Sequence, residues 1–361
     1  MPQDQLQPDG TGPGAWDIRG RLERALAGEP VRWPVYLVYD WFVQNRAAPW
    51  PELFAQGLGE LKHADLVRVE RPHLELVETT TEVDGATRRD VRWITDRGEL
   101  HESWLGEWRK EYPVKRPEDY RVMARAWEDT RCVATPECFE RAEAEIGPRG
   151  MTVGHLGWTP LRRVPLMELH VELAGPERLA YDLADGRPEL MELHDLLVEV
   201  LCTMCRAACK TPARYVKLWD NLSIEMVGPR AYREHLVPAY RRVLDIFGAA
   251  GKRVLVHYDG RLRPVAGDVA ALDLDGIDSF TEPPEGDMGT AEARAAWPDK
   301  FLWLHPSLGW FRQGGDVLAG NIRRLAREAG PRRYCFLISE DVPPQCRQTV
   351  AAVLKTLAEG A

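Results

Sequence analysis

The sequence predicts an α/β fold, a (β/α)8 TIM barrel with an N-terminal β-hairpin and helical elaboration. Two observations carry this reading. From residue 214 onward, short β-branched or aromatic runs alternate with helical stretches across short loops. That order implies parallel pairing and right-handed crossovers. Acids, amides and histidines also stand at the ends of those runs, where a barrel gathers its working groups. An open doubly wound sheet is the alternative, but no glycine-rich phosphate fingerprint follows the first strand.

The elements follow in order. Residues 1–15 are polar, rich in Gly and Pro and lack an apolar signal core, so they read as a disordered tail. Residues 16–361 read as a single domain. GAWDIRGRLERALAGEP is an amphipathic helix ending near Gly28, and Trp33–Tyr39 is a strand with Asp40 at its end. PELFAQGLGELK reads as helix. From Leu66 to Thr95 the pattern alternates, and Asp84-Gly85 within it is a hairpin signal. PEDYRVMARAWEDTR and TPECFERAEAEIG are helices, the second with Thr135 as its cap. MTVGHLG is a strand ending at His155, followed by helices in VPLMELHVELAG, GPERLAYDLADG and the long RPELMELHDLLVEVLCTMCRAACKT. RYVKLWDN is a strand ending at Asp220 and Asn221. After the helix GPRAYREHLVPAYRRVLDIFGAAG, the strands RVLVHYDG, IDSFTEPP, KFLWLHPS (ending at His305) and YCFLISED alternate with helices. The count is about eight strands, with one placed in the hairpin region.

The 361 residues and 44% hydrophobic content allow a large core. A formal charge of −9 argues against nucleic acid as a partner. No stretch approaches the roughly 18 consecutive apolar residues of a membrane span, so a soluble cytoplasmic protein is the expectation. Of seven cysteines, Cys202, Cys205 and Cys209 share one helical face and read as small hydrophobes rather than cluster ligands.

The most informative fragment is VLVHYDG. His257 and Asp259 are two apart on an extended segment, so both point to one face, and both are good ligands for a divalent ion. Glu282, Glu340 and Asp341 recur at the ends of other predicted strands and complete a candidate metal set. Asp40, Asp220 and His305 are placed for acid–base work, and His155, Asn221, Trp219 and Trp310 for contact with a small-molecule substrate. Trp41, Phe42, Trp158 and Phe311 fall in the same strand-end loops and could line an apolar pocket.

Several segments, in order, resemble the uroporphyrinogen decarboxylase-like superfamily. WITDRGELHESW looks like its T-P-x-G-x-L element, and EYPVKRPEDY opens the next helix. GPRAYREHLVPAYRRVLDIFGAAGKRVLVHYDG looks like the helix leading into its His-x-Cys-Gly. LAGNIRRL and LISEDVPPQCRQTVAAVLKTL look like its closing elements. The resemblance implies a barrel and a homodimer. The heme-pathway branch carries an R-Q-A-G-R-type element after the first strand, where this chain reads YDWFVQNRAAP with Arg46 as its one arginine. The corrinoid-dependent methyltransferase branch holds zinc with His-x-Cys and a later cysteine. Here His257 matches, Asp259 replaces the first cysteine, and Ser339, Glu340 and Asp341 stand where the last would be. Glu282 falls where related zinc barrels place a glutamate.

The function expected from this resemblance is metal-dependent methyl transfer between a corrinoid and a small substrate, with zinc as the ion. No D-x-H-x-x-G carrier motif occurs, so the corrinoid would ride on a separate protein acting in trans. The alternatives are a decarboxylase-like lyase on a carboxylated aromatic or tetrapyrrole, working through Asp40 or Asp220, and a non-catalytic ligand-binding barrel.

Overall fold

A closed ring of eight parallel strands forms the centre of the computed structural model, which describes residues 17–157, 161–338 and 347–358. In chain order the strands are β1 (Tyr36–Tyr39), β2 (Leu58–Asp65), β3 (Val67–Glu70), β4 (Glu75–Val83), β5 (Ala86–Thr95), β6 (Gly98–Leu105), β7 (Trp108–Glu111), β8 (Arg131–Ala134), β9 (Gly150–His155), β10 (Tyr215–Leu218), β11 (Arg253–His257), β12 (Gly276–Thr281), β13 (Phe301–His305) and β14 (Tyr334–Leu337). The ring runs β1-β14-β13-β12-β11-β10-β9-β2, and the register Tyr36↔Phe336 and Tyr36↔Leu58 joins its first strand to both neighbours. The expected (β/α)8 barrel is therefore present.

Runs such as YLVY, FLWLH and YCFL are apolar at nearly every position and buried throughout. A parallel strand covered on both faces has that signature. The helices pack outside, the longest being Pro188–Ala208, which buries Leu190, Leu193, Leu197 and Leu201 on one stripe. Cys202 and Cys205 are buried on the same helix as free thiols, and Cys209 at its end is half-buried. No described helix is long and apolar enough to cross a membrane.

The structure corrects the placement of one strand. Residues 51–62 read as helix, but the helix covers Trp50–Ala55 and β2 begins at Leu58. Gly57, at φ 99°, makes the turn between them. A Cβ at Gly59 would come within 2.5 Å of Ile18 Cγ2 and 2.6 Å of Leu37 Cδ2, so only glycine lets β2 lie against β1 and the N-terminal helix. The polar letters that suggest a helix are outward strand positions tied to the helix Pro136–Ile146 and the turn after it, Lys62 by Glu145 at 2.7 Å and Glu60 by Arg149 at 3.0 Å. The barrel's second strand thus lies ahead of the hairpin region.

Between β2 and β9 the chain makes an antiparallel excursion. β3 pairs with β8, and β4-β5-β6-β7 form a separate meander. Asp84 and Gly85 turn β4 into β5 with φ of 50° and 77°, the two-residue hairpin geometry their identities announce. WITDRGELHESW is the β5–β6 hairpin of this sheet. Thr135 stands at the N-cap of Pro136–Ile146, but its hydroxyl donates to Asp65 O at 2.8 Å and pins that helix to the end of β2.

Candidate active site

Seven barrel strands deliver polar side chains to the mouth, among them Tyr39, His63, His155, Lys217, His257, Asp278 and His305. The register sets His155 beside Lys217, and His257 beside Asp278. All seven side chains are almost fully buried, Lys217 completely so.

Asp278 is the hub. Its Oδ2 accepts from Tyr39 Oη at 2.9 Å and pairs with Lys217 Nζ at 2.5 Å and His257 Nδ1 at 2.6 Å. Lys217 Nζ also donates to Tyr39 Oη at 3.1 Å and lies 3.6 Å from the centre of the Trp219 ring. The pairing of β12 with β13 slips between Ile277 and Phe280, and Ser279 has φ 67°. This irregularity breaks the usual alternation, so consecutive residues reach one imidazole. Ser279 Oγ sits 3.0 Å from His257 Nδ1, beside Asp278.

Burial alone would raise the pKa of Asp278, but the Lys217 charge and the His257 hydrogen bond outweigh it and hold the carboxyl well below its usual range. Burial lowers the pKa of Lys217 despite the pull of Asp278. Burial also opposes a charged His257, yet its bonds to Asp259 and Asp278 leave its pKa raised. Desolvation pushes His305 down to about 3 and His63 to about 4, so both are neutral at physiological pH. Asp278 Oδ1 and His305 Nε2 are buried without a hydrogen-bond partner among the described residues. A substrate polar group could meet either atom.

His257 and Asp259 do converge, with Nε2 3.6 Å from Asp259 Oδ2, and Asn221 Nδ2 donates to that same oxygen at 3.4 Å. Trp219 lies between His257 and His63, at centroid distances of 5.4 and 4.8 Å. His155 pairs with Asp65 at 3.0 Å. Asp40 is engaged by His63, through Nδ1 at 2.8 Å and the backbone N at 3.2 Å. Asp220 is not at the mouth's surface. Its oxygens accept from Val164 N at 2.8 Å and Tyr240 Oη at 2.7 Å, and burial raises its pKa to about 6. Glu282 turns to Arg324 at 2.7 Å and Thr290 N at 2.7 Å, and Trp310 is half-buried with Arg324 5.7 Å from its ring. Glu340, Asp341 and Trp158 lie outside the described residues.

A catalytic divalent ion needs three protein ligands. Among the described residues no group of three or more His, Cys, Asp and Glu side chains could hold one. Asp259 is the acid facing His257 Nε2, while Asp278 binds the opposite ring nitrogen and the Lys217 cation, and Glu282 binds Arg324. The described residues therefore do not fit the expected metal centre by themselves. They form an acid–base constellation. Its main members beyond His257 are Lys217, Asp278, Tyr39 and Ser279, none of which the sequence reading singled out. The available signal was a charge inside an otherwise apolar strand, as in YVKLW and GIDSF. Tyr39, one aromatic among several in its strand, carried no such signal.

Residues 171–300 match the sequence model of the uroporphyrinogen decarboxylase (URO-D) family. That span holds Lys217, His257, Asp259 and Asp278. Among solved structures, a methyltransferase from Methanosarcina mazei superposes with a TM-score of 0.55 at 14% identity, covering 94% of this chain and 97% of that one. At that identity the likeness concerns the fold. A B12-independent methionine synthase from Shewanella sp. W3-18-1 is more distant, with a TM-score of 0.42 at 11% identity and coverages of 95% and 85%. No curated protein sequence matches the chain.

Proposed function

We propose, with a uroporphyrinogen decarboxylase-like barrel as the premise, that this chain is a methyltransferase that moves a methyl group between a corrinoid on a separate protein and a small substrate. The observation that carries the reading is the His257–Asp278 pair, backed by Lys217 and Tyr39, at the carboxyl ends of the barrel strands. Methyl transfer to a substrate oxygen, nitrogen or sulfur requires that atom to lose its proton, and transfer away from it requires a proton in return. With Nδ1 bound to Asp278, the Nε2 of His257, which faces Asp259 at 3.6 Å, is the nitrogen that exchanges that proton. Asp278 fixes the ring and stabilises its charged form, while the Lys217 charge keeps Asp278 ionised and the Tyr39 hydroxyl orients it. Trp219 supplies an apolar wall beside the imidazole.

A divalent ion enters this reading only if Glu340 or Asp341 adds a third ligand, a carboxylate oxygen, to the His257 nitrogen and the Asp259 oxygen. Zinc held there would supply a Lewis acid. The decarboxylase alternative through Asp40 or Asp220 needs one of those acids to meet substrate, and both are engaged by protein partners.

The test is direct. Purified protein is mixed with methylcobalamin, or with reduced cobalamin, and with panels of thiols, phenols, amines and their methylated forms. The visible spectrum of the corrinoid reports transfer. Turnover that falls at least about 100-fold in His257→Ala supports the reading. No turnover with any class, by a folded wild-type protein, sinks it.

A further inference from the structure

We propose that the opposite pole of the barrel, where the strands begin, binds a small tetrahedral oxyanion: inorganic phosphate or the phosphate of a monoester. The reading is independent of the proposed methyl transfer. A cavity of about 100 Å³ opens there, lined by Arg214, Arg253, Arg333, Asp275, Tyr215 and Phe301 among others. Arg214 directly precedes β10, Arg253 opens β11, and Arg333 directly precedes β14, so closure of the barrel brings together arginines far apart in sequence.

The charge balance favours an anion. Arg214 and Arg333 have no carboxylate partner among the described residues, and Arg214 instead lies 5.4 Å from the Tyr215 ring. Asp275 is turned away from them: Oδ1 accepts from Arg253 at 2.8 Å and Oδ2 from Val254 N at 2.8 Å. The lining thus holds three guanidinium groups against one engaged carboxylate. The helix Ile18–Leu26 ends at the same cavity, and its C-terminal partial charge of about −0.5 leaves the balance positive. Glu23, the other nearby acid, is exposed on that helix.

Size and shape narrow the ligand. The cavity is well below the roughly 300 Å³ of a drug-sized site, so it admits a phosphate group and not a nucleotide body. Arginine forks match the oxygens of such a group. Gly28 leaves room for Arg333, since a Cβ there would stand 2.8 Å from its Nη2. Arg214 and Arg253 are exposed, so the rest of an ester could extend into solvent.

Calorimetry and thermal shift at fixed ionic strength test the site with inorganic phosphate, glycerol phosphate and sulfate. The expected result is one phosphate per chain with a Kd below about 1 mM, weakened at least tenfold in Arg214→Gln/Arg333→Gln and unchanged in His257→Ala, at the other pole. Glycerol phosphate binding as tightly as phosphate would identify an ester as the ligand, and preference for phosphate would identify the free ion. If the double variant does not fold, Arg214→Gln alone, exposed and without an acidic partner, serves in its place. The inference is overturned if wild type shows no binding up to about 10 mM phosphate, if the arginine variant binds as tightly as wild type, or if His257→Ala removes the binding.

Discussion

At the scale of single residues, Asp220 and Asp278 show how one side-chain type takes opposite parts. Asp220 is a fully buried acid held by a backbone N–H and a tyrosine, and its pKa is raised to about 6. A carboxyl whose folded pKa lies above its unfolded value favours folding least when ionised. The cost is absent below the unfolded pKa near 4, grows between about pH 4 and 6, and is constant above that. Two pH units correspond to about 3 kcal/mol as an order of magnitude. The stability of Asp220→Asn relative to wild type should therefore rise by about 3 kcal/mol between pH 4 and pH 7, with a flatter profile between pH 4 and 6. Urea melts across that range check it, and unchanged turnover would mark the residue as part of the scaffold. Asp278 is the reverse case, a carboxylate kept ionised by Lys217 and His257. Asp278→Asn strands a buried ammonium and should cost about 3–5 kcal/mol. Adding Lys217→Met removes that uncompensated charge, so the double variant should be more stable than Asp278→Asn alone, a non-additivity that a double-mutant cycle measures. His257 was legible because His-x-Asp ends a strand. Lys217 and Asp278 were not, because their meaning lies in each other, across neighbouring positions of a closed sheet that one sequence does not pair.

At the scale of elements, most of the barrel's alternation was readable and one barrel strand was not, while β6, β7 and β8 outside the barrel were not read as strands. β10 to β14 announce themselves by apolar runs, since buried parallel strands have no exposed face to interrupt the pattern. β2 carries outward Glu60 and Lys62, whose partners lie on and just after the helix that packs over it, and the mixed letters imitate a helix. The meander β4–β7 has its own anchor. Arg109 on β7 pairs with Glu102 on β6 and with Glu172 in the helical segment after β9, while Arg162 and Arg163 also reach Glu172. Arg109 is largely buried, so Arg109→Ala leaves two carboxylates with less compensation. The expected outcome is local: faster amide exchange in β6, β7 and residues 161–173, with the barrel strands still protected. Exchange that rises equally across the barrel would mean the meander is a structural member of the whole fold.

At the scale of the whole molecule, closure of the ring decides which acids can share a ligand. In sequence, Glu282, Glu340 and Asp341 look equally available to His257, since each follows a strand. In the barrel, Glu282 leaves the mouth for Arg324, with its pKa lowered because that guanidinium and the Thr290 N–H outweigh its burial. Neutralising it therefore breaks an ion pair and should leave any metal site intact. Glu340 and Asp341 follow β14 in the sequence, and β14 itself pairs with β1 and β13, the strands that end at Tyr39 and His305. If zinc is the ion, elemental analysis of wild type should find close to one equivalent per chain. His257→Ala and one of Glu340→Ala or Asp341→Ala should lose it, since a site reduced to two ligands binds a divalent ion weakly. Glu282→Gln should keep the full equivalent while losing about 1 kcal/mol of stability with the Arg324 pair. Metal content that depends on Glu282 would mean that Arg324 releases it on binding and that the ring of ligands is drawn around β12 instead of the last strand. Metal content near zero in every protein, with turnover retained, would leave the proton chemistry of His257 and Asp278 as the whole of the site's catalysis, with Lys217 as the cation that the barrel provides for itself.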